Sequence, residues 1–329
     1  MIKNRLIWTM MIGMATLLST SSCHDADEET AEASQSETSL GERVPVVFNI
    51  PYINIVTRAT DTSFEVGDAL SVFAVDRSAT GTDMLDNTNY AQNVKYVNSS
   101  SGFVAANEPI WQYRGETLRR DLIYYVIYPY KAMSYYGTSF PEFIFGIGQD
   151  QTSHDKYTAN DLSIKKLASK STNVELALDH MLTNIEIVIT GISTPFTNAS
   201  ATLYSLRNRV KVQMNKLDEP NPITNMGGGY ISDIYCEKLD QTATGCKFHA
   251  IVAPQQILQG QKLVVLNIDG NIYNLKATSQ LQLASGKQYT FTYDLGGSSI
   301  RSDLGIGYGG TDDDGSQTPS SRVTTSVWE

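Results

Sequence analysis

The chain is poor in the residues that carry catalytic and metal chemistry. Only four histidines occur in 329 residues, His24, His154, His180 and His249. None lies in an H-E-x-x-H zinc motif, and no G-x-S-x-G nucleophile elbow is present. Gly305-Ile306-Gly307-Tyr308-Gly309 is rich in glycine, but it neither follows a parallel strand nor opens a helix, so it is not a dinucleotide loop. Asp312-Asp313-Asp314 lacks the spacing of a calcium-binding EF-hand and reads as solvated linker. No cofactor, metal or catalytic residue is expected, and the chain is not expected to be an enzyme. Charge is sparse as well: 18% of residues are charged and the net charge is -10, the opposite of the basic footprint that nucleic-acid binding needs. Long apolar runs are missing. The one greasy stretch, Leu6 to Leu18, is shorter than the roughly 18 residues of a membrane-spanning helix. Nor does any long helical periodicity appear.

That short stretch sits in an informative context. Lys3 and Arg5 precede it, and Leu18-Ser19-Thr20-Ser21-Ser22-Cys23 follows. A basic start, a short apolar core and small residues before a cut form a secretory signal. A cysteine immediately after the cut resembles a bacterial lipobox, so residues 1–22 are read as a lipoprotein signal and Cys23 as the lipidated residue. The next residues, His24-Asp25-Ala26-Asp27-Glu28-Glu29, are acidic, and the chain stays polar to residue 43. Such composition cannot bury enough apolar surface to offset chain entropy, and residues 23–43 are read as a flexible tether. An acidic patch behind a lipidated cysteine also resembles the surface-export signal of some Gram-negative lipoproteins.

The remaining cysteines, Cys236 and Cys246, would lie in an oxidising compartment. The residues between them read as strand, turn, strand. Two arrangements stay open: a disulfide across that hairpin, which requires Cα atoms within about 7 Å, or two buried free thiols.

What the chain has in quantity is tyrosine, with 18 copies, together with Thr, Ser, Val and Ile, a β-forming composition. Val46, Phe48 and Ile50 alternate on one face of a first strand. Pro51 then interrupts, and this places the segment at an edge or a break. Further strands are predicted at 69–75, 94–97, 103–105, 122–128, 162–167, 174–178, 185–189, 201–206, 210–214, 230–236, 247–253, 263–268, 272–277 and 288–293. Asp269-Gly270-Asn271 is a hairpin turn signal. Many short strands separated by turns imply β-sandwich architecture, and the close to 290 residues left after signal and tether suit two domains or one large one. A boundary near His180 gives domains of 44–180 and 181–295. Residues 296–329 form a Gly/Asp-rich tail that ends in a β-prone run, Arg322 to Glu329, with nothing after it to pair with.

Several of these segments together resemble the fimbrillin-like family of type V pilus subunits: Val44-Pro45-Val46-Val47-Phe48, Thr57-Arg58-Ala59-Thr60-Asp61, Phe64-Glu65-Val66-Gly67-Asp68-Ala69-Leu70, Leu176 to Leu182, Gly286-Lys287-Gln288-Tyr289-Thr290-Phe291, and the terminal Trp328. The resemblance implies an all-β protein with two transthyretin-like β-sandwich domains in tandem, made as a lipoprotein precursor. It implies processing by an arginine-specific protease between Arg58 and Ala59, with release of the first strand carrying Val46, Phe48 and Ile50. The vacated groove would then accept a strand from the next subunit. Two donors stay open: Arg322 to Glu329, with Val323, Val327 and Trp328, and Leu304 to Tyr308. The long Gly/Asp-rich tail departs from the family pattern. The implied partners are other pilus subunits joined head to tail, the outer membrane through the lipid before processing, and a host glycan or protein. The implied place is the outer membrane and cell surface, reached through the periplasm. The competing class is a tip adhesin, or a lipid-anchored binding module that keeps its first strand for life.

Overall fold

The computed structural model describes residues 40–50, 64–86, 88–220, 222–226, 229–296 and 320–328. The regular structure described is nearly all β-strand; the helices are single turns such as Met133–Tyr136 and His154–Thr158.

The strand Leu122–Tyr128 shows why the amino-terminal half folds as it does. All seven of its residues are buried, because both faces of the sheet are covered. Leu122, Tyr124, Val126 and Tyr128 point into one apolar cluster; Ile123, Tyr125 and Ile127 point into another. The sheet has eight strands in the order Asn173–Glu175, Val47–Asn49, Gly102–Ala105, Ala91–Ser99, Ala69–Asp76, Leu122–Tyr128, Ser163–Ser169, Asp179–His180. Its two outermost strands are neighbours in the chain, joined by residues 176–178. The sheet is therefore curled, with one short strap closing its seam, and the first cluster fills the inside.

The second half places two sheets against each other. One has five strands, in the order Glu237–Gln241, Cys246–Val252, Thr183–Thr190, Lys287–Asp294, Ser320–Val327. The other has four, in the order Ile231–Tyr235, Ala199–Arg207, Lys262–Ile268, Asn271–Lys276. Ile185, Ile187, Phe248, Phe291, Leu203 and Leu266 meet between them in a single core. The predicted turn at Asp269-Gly270 closes a hairpin with φ of +46° and +90°, the left-handed conformation in which glycine is least strained.

The two halves are tied across residue 180. The strand Glu142–Gly146 pairs antiparallel with Arg209–Gln213, and its Phe143 and Phe145 belong to the same core as the second half. Buried Gln151 goes further. Its side-chain amide donates to Ile251 O at 2.9 Å and accepts from Ile251 N at 2.8 Å, replacing a missing strand at that point of the ladder. Close by, Tyr157 stacks on His249 with ring centres 3.7 Å apart, and His249 Nε2 lies 2.8 Å from Glu237.

The disulfide left open between Cys236 and Cys246 does not form; both are free and buried. The hairpin register explains this. Cys246 faces Gln241 and Glu237 faces His249, so Cys236 lies about four residues along from Cys246, roughly 13 Å at strand rise. Burial pushes the Cys236 thiol up to about 12 and the Cys246 thiol up to about 11, where the reactive thiolate is scarce. A thiol reagent such as Ellman's should therefore titrate neither cysteine at pH 8 in the folded protein and both in urea. Rapid labelling of the native chain would overturn this placement.

Candidate functional site

The first strand is where the predicted chemistry can be inspected. Val44–Ile50 was expected as one strand and is two short ones. Arg43–Pro45 pairs with Trp111–Tyr113, and Val47–Asn49 lies in the curled sheet. The change of partner falls at Val46, whose N–H bonds Ile110 O at 2.9 Å. Val46 and Phe48 are buried inside the curl, with Phe48 fully inaccessible, and Ile50 packs at the rim of the same cluster. The Phe48 ring meets Tyr96 and Tyr124 edge-on at 4.9 and 5.2 Å, the geometry that aromatic quadrupoles favour. Desolvation raises the Tyr96 phenol to about 12, a sign of how dry this interior is.

The first strand also holds the seam. Asn173–Glu175 runs parallel to it and has no other neighbour in its sheet. Val47 N–H donates to Thr172 O at 2.9 Å and Leu176 N–H to Asn49 O at 3.0 Å. Beside this seam opens a cleft of about 700 Å³, lined among others by Ile50, Phe64, Tyr128, Tyr130, Asp161 and His180.

The terminal strand was expected to have nothing to pair with, and this is corrected by the structure. Ser320–Val327 lies antiparallel to Lys287–Asp294 of its own chain, in register from Lys287↔Val327 to Asp294↔Ser320. Of the apolar side chains expected in a donor, Val323 packs on the core, Val327 is exposed, and Trp328 is buried. Trp328 N–H donates to Gly286 O at 3.0 Å, and its ring stacks flat on His180, centres 4.1 Å apart and planes 8° apart. Gly286 has φ +67°, and a Cβ there would lie 3.1 Å from His180 O. The turn thus needs glycine both for its conformation and for its close approach.

His180 Nδ1 is within 2.7 Å of Asp161 Oδ1 and 3.1 Å of Ser163 Oγ. A Ser-His-Asp relay needs its two partners on opposite ring nitrogens. Here both converge on one, so the group anchors a ring and does not move a proton between partners. Among the described residues no cluster of three or more His, Cys, Asp or Glu could hold a metal, and no helix is long and apolar enough to cross a membrane.

Cys23, Arg58, Ala59 and the alternative donor Leu304 to Tyr308 lie outside the described residues. The role of His180 as the seat of Trp328 was not legible in the sequence. The two residues are remote along the chain, and no local pattern signals an aromatic stack across such a distance.

A family model described as fimbrillin-like matches residues 57–307, a span that includes neither the first strand nor the terminal one. Among solved structures, a candidate cell adhesion protein from Bacteroides ovatus is 15% identical, with a TM-score of 0.61 over 88% of this chain and 98% of that one. A second, from Bacteroides uniformis, is 14% identical, with a TM-score of 0.58 over 87% and 98%. At such identities the likeness is one of fold. No curated protein matches the chain.

Proposed function

Because this chain belongs to the fimbrillin-like family, we propose that it is a structural subunit of a cell-surface pilus, exported as a lipoprotein on Cys23, cut after Arg58 and joined head to tail by strand addition. The observation that carries this reading is the seating of the first strand. Val46 and Phe48 fill the inside of the curled sheet, each worth roughly 1.5–3 kcal/mol when buried. The strand is short and amino-terminal, so one cut behind it would free it. Its loss would leave an apolar groove with unpaired ladder groups, which an incoming strand can fill and pair. A head-to-tail contact of this kind extends into a filament unless it closes on itself. The donor would be the terminal strand with Val323, Val327 and Trp328.

A tip or lipid-anchored adhesin is the second reading. It is favoured by Tyr204, Ile231, Tyr235 and Ile272, apolar side chains exposed on three strands of one sheet; a contiguous patch of such side chains marks contact surface. An anchored adhesin would retain its first strand.

Mild trypsin followed by size-exclusion chromatography with light scattering separates the two. A strand-exchanging subunit loses the residues up to Arg58 and grows into a ladder of multimers. A stable monomer before and after the cut would exclude the pilus-subunit reading and favour the adhesin.

A further inference from the structure

We infer that the segment Asn173–His180 couples the two ends of this chain, so that loss of the first strand loosens the seat of Trp328 and frees the terminal strand from its own subunit. The inference rests on the pilus-subunit reading for its biological sense, but its physical content is a contact network already in place.

The network has three links. The first strand is the sole sheet neighbour of Asn173–Glu175. It holds that segment by the paired register Val47↔Asn173, Phe48↔Val174 and Asn49↔Glu175, by Leu176 N–H on Asn49 O, and by the Asn49 side chain on Asn173 at 2.5 Å. Val174 and Leu176 share the inner cluster with Val46 and Phe48. Remove the first strand and the segment loses its ladder and much of its apolar packing together.

Only Ala177 and Leu178 separate that held portion from the second link, Asp179–His180. This pair closes the opposite edge of the curl through two register pairs, Asp179↔Ile164 and His180↔Ser163, with Lys165 on Asp179 at 3.0 Å and Met181 N–H on Leu162 O at 2.8 Å beside them. Such a short closure has little ladder of its own and depends on the strap that feeds it.

The third link is the His180 ring. One side chain contact, through Nδ1, goes to Asp161 and Ser163. Its face carries Trp328, while the His180 carbonyl abuts Gly286, the residue whose own carbonyl receives the Trp328 N–H. Among the described side chains of the terminal segment, Trp328 is the buried one, at the end of an edge strand whose Val327 is exposed. A shift of His180 therefore acts on the terminal strand at its best-held point. In the intact chain the anchor keeps the strand home; in a chain that has lost its first strand the anchor is weakened at the moment an acceptor groove is open. The two-state element is the strap, and both ends of the chain bias it.

Hydrogen exchange measured by mass spectrometry tests this on the secreted chain. The peptides read are those covering Lys287–Asp294 and Ser320–Trp328. They are compared in the intact protein and in the monomer peak after the Arg58 cut, with loss of the released segment confirmed by mass. The expected result is exchange at least tenfold faster in the terminal strand after the cut. His180→Ala in the intact chain should produce the same acceleration without any cut, and His180→Phe, which keeps a flat ring for Trp328, should restore protection. Unchanged terminal-strand exchange after the cut overturns the coupling. Acceleration by the cut but not by His180→Ala overturns the route through His180. Light scattering on the same samples distinguishes the two ideas: ladders with no change in the monomer's exchange refute the coupling and leave the pilus reading intact, whereas coupling without ladders refutes the pilus reading alone.

Discussion

Phe48→Ala destabilises the intact chain by about 3–5 kcal/mol, read as a lower midpoint in urea at unchanged slope. The ring is wholly inaccessible and is held edge-on by Tyr96 and Tyr124. Its removal forfeits both the transfer energy and two aromatic contacts, and the surrounding sheet, closed on itself, has little freedom to collapse into the space. Under the proposed processing the same substitution has a second signature. Once the segment up to Arg58 is gone, the mutated residue is gone with it, so purified multimers of the variant should be as stable as those of the parent. A loss confined to the precursor is what a disposable first strand predicts. An equal loss before and after assembly would mean that the strand stays in the assembled subunit, against the proposed release. A loss below about 1 kcal/mol would mean that the ring is not seated as described.

Under the proposed strand exchange, deleting Arg322 to Glu329 is expected to abolish the multimer ladder while leaving a folded monomer that is still cut after Arg58. The monomer survives because the strand it exposes, Lys287–Asp294, keeps Tyr289, Phe291 and Tyr293 buried against the facing sheet. What is lost is one edge ladder, the Val323 packing and the Trp328 seat. Assembly does not survive, because ordering a donor costs about 1–2 kcal/mol per residue and must be offset by apolar side chains that fill the places of Val46 and Phe48. Val323 and Val327, which share one face of an extended run, can do so, and the terminal run contains no glycine to raise the cost. The check is the same chromatography with light scattering. Ladders that persist after the deletion would transfer the donor role to Leu304 to Tyr308.

Much of the sheet architecture was legible because it depends on local pattern. Leu122–Tyr128 was placed with its observed bounds, and Ala69–Asp76, Lys262–Ile268 and Lys287–Asp294 to within a residue at each end. These strands carry period-two or continuous apolar runs between clear turns. The strands that escaped, Trp111–Tyr113, Glu142–Gly146 and Ile223–Asn225, are short or mixed in character. Their existence depends on partners elsewhere in the chain: Glu142–Gly146 is a strand because Arg209–Gln213 lies beside it. The same reason limits the reading of the site. The inward face of Val46 and Phe48 follows from alternation, whereas the strap Asn173–Leu178, the His180–Trp328 stack and the return of the terminal run onto its own chain are long-range pairings with no local signature. The cysteines show what a local pattern leaves open. A strand-turn-strand pattern allowed either a bridge or two buried thiols; only the register decides which residues face, and it places Cys246 against Gln241.

Gln151 gives the molecule a mechanical property. With its amide stitched to both backbone groups of Ile251, and with Glu142–Gly146 woven beside Arg209–Gln213, the two halves cannot pivot about a linker. A filament of such units would bend at the joints between subunits and hardly at all within them. Tension applied along it would pass through each body as through a solid link, so that compliance, and the place where a stretched fibre first parts, would reside in the exchanged strand.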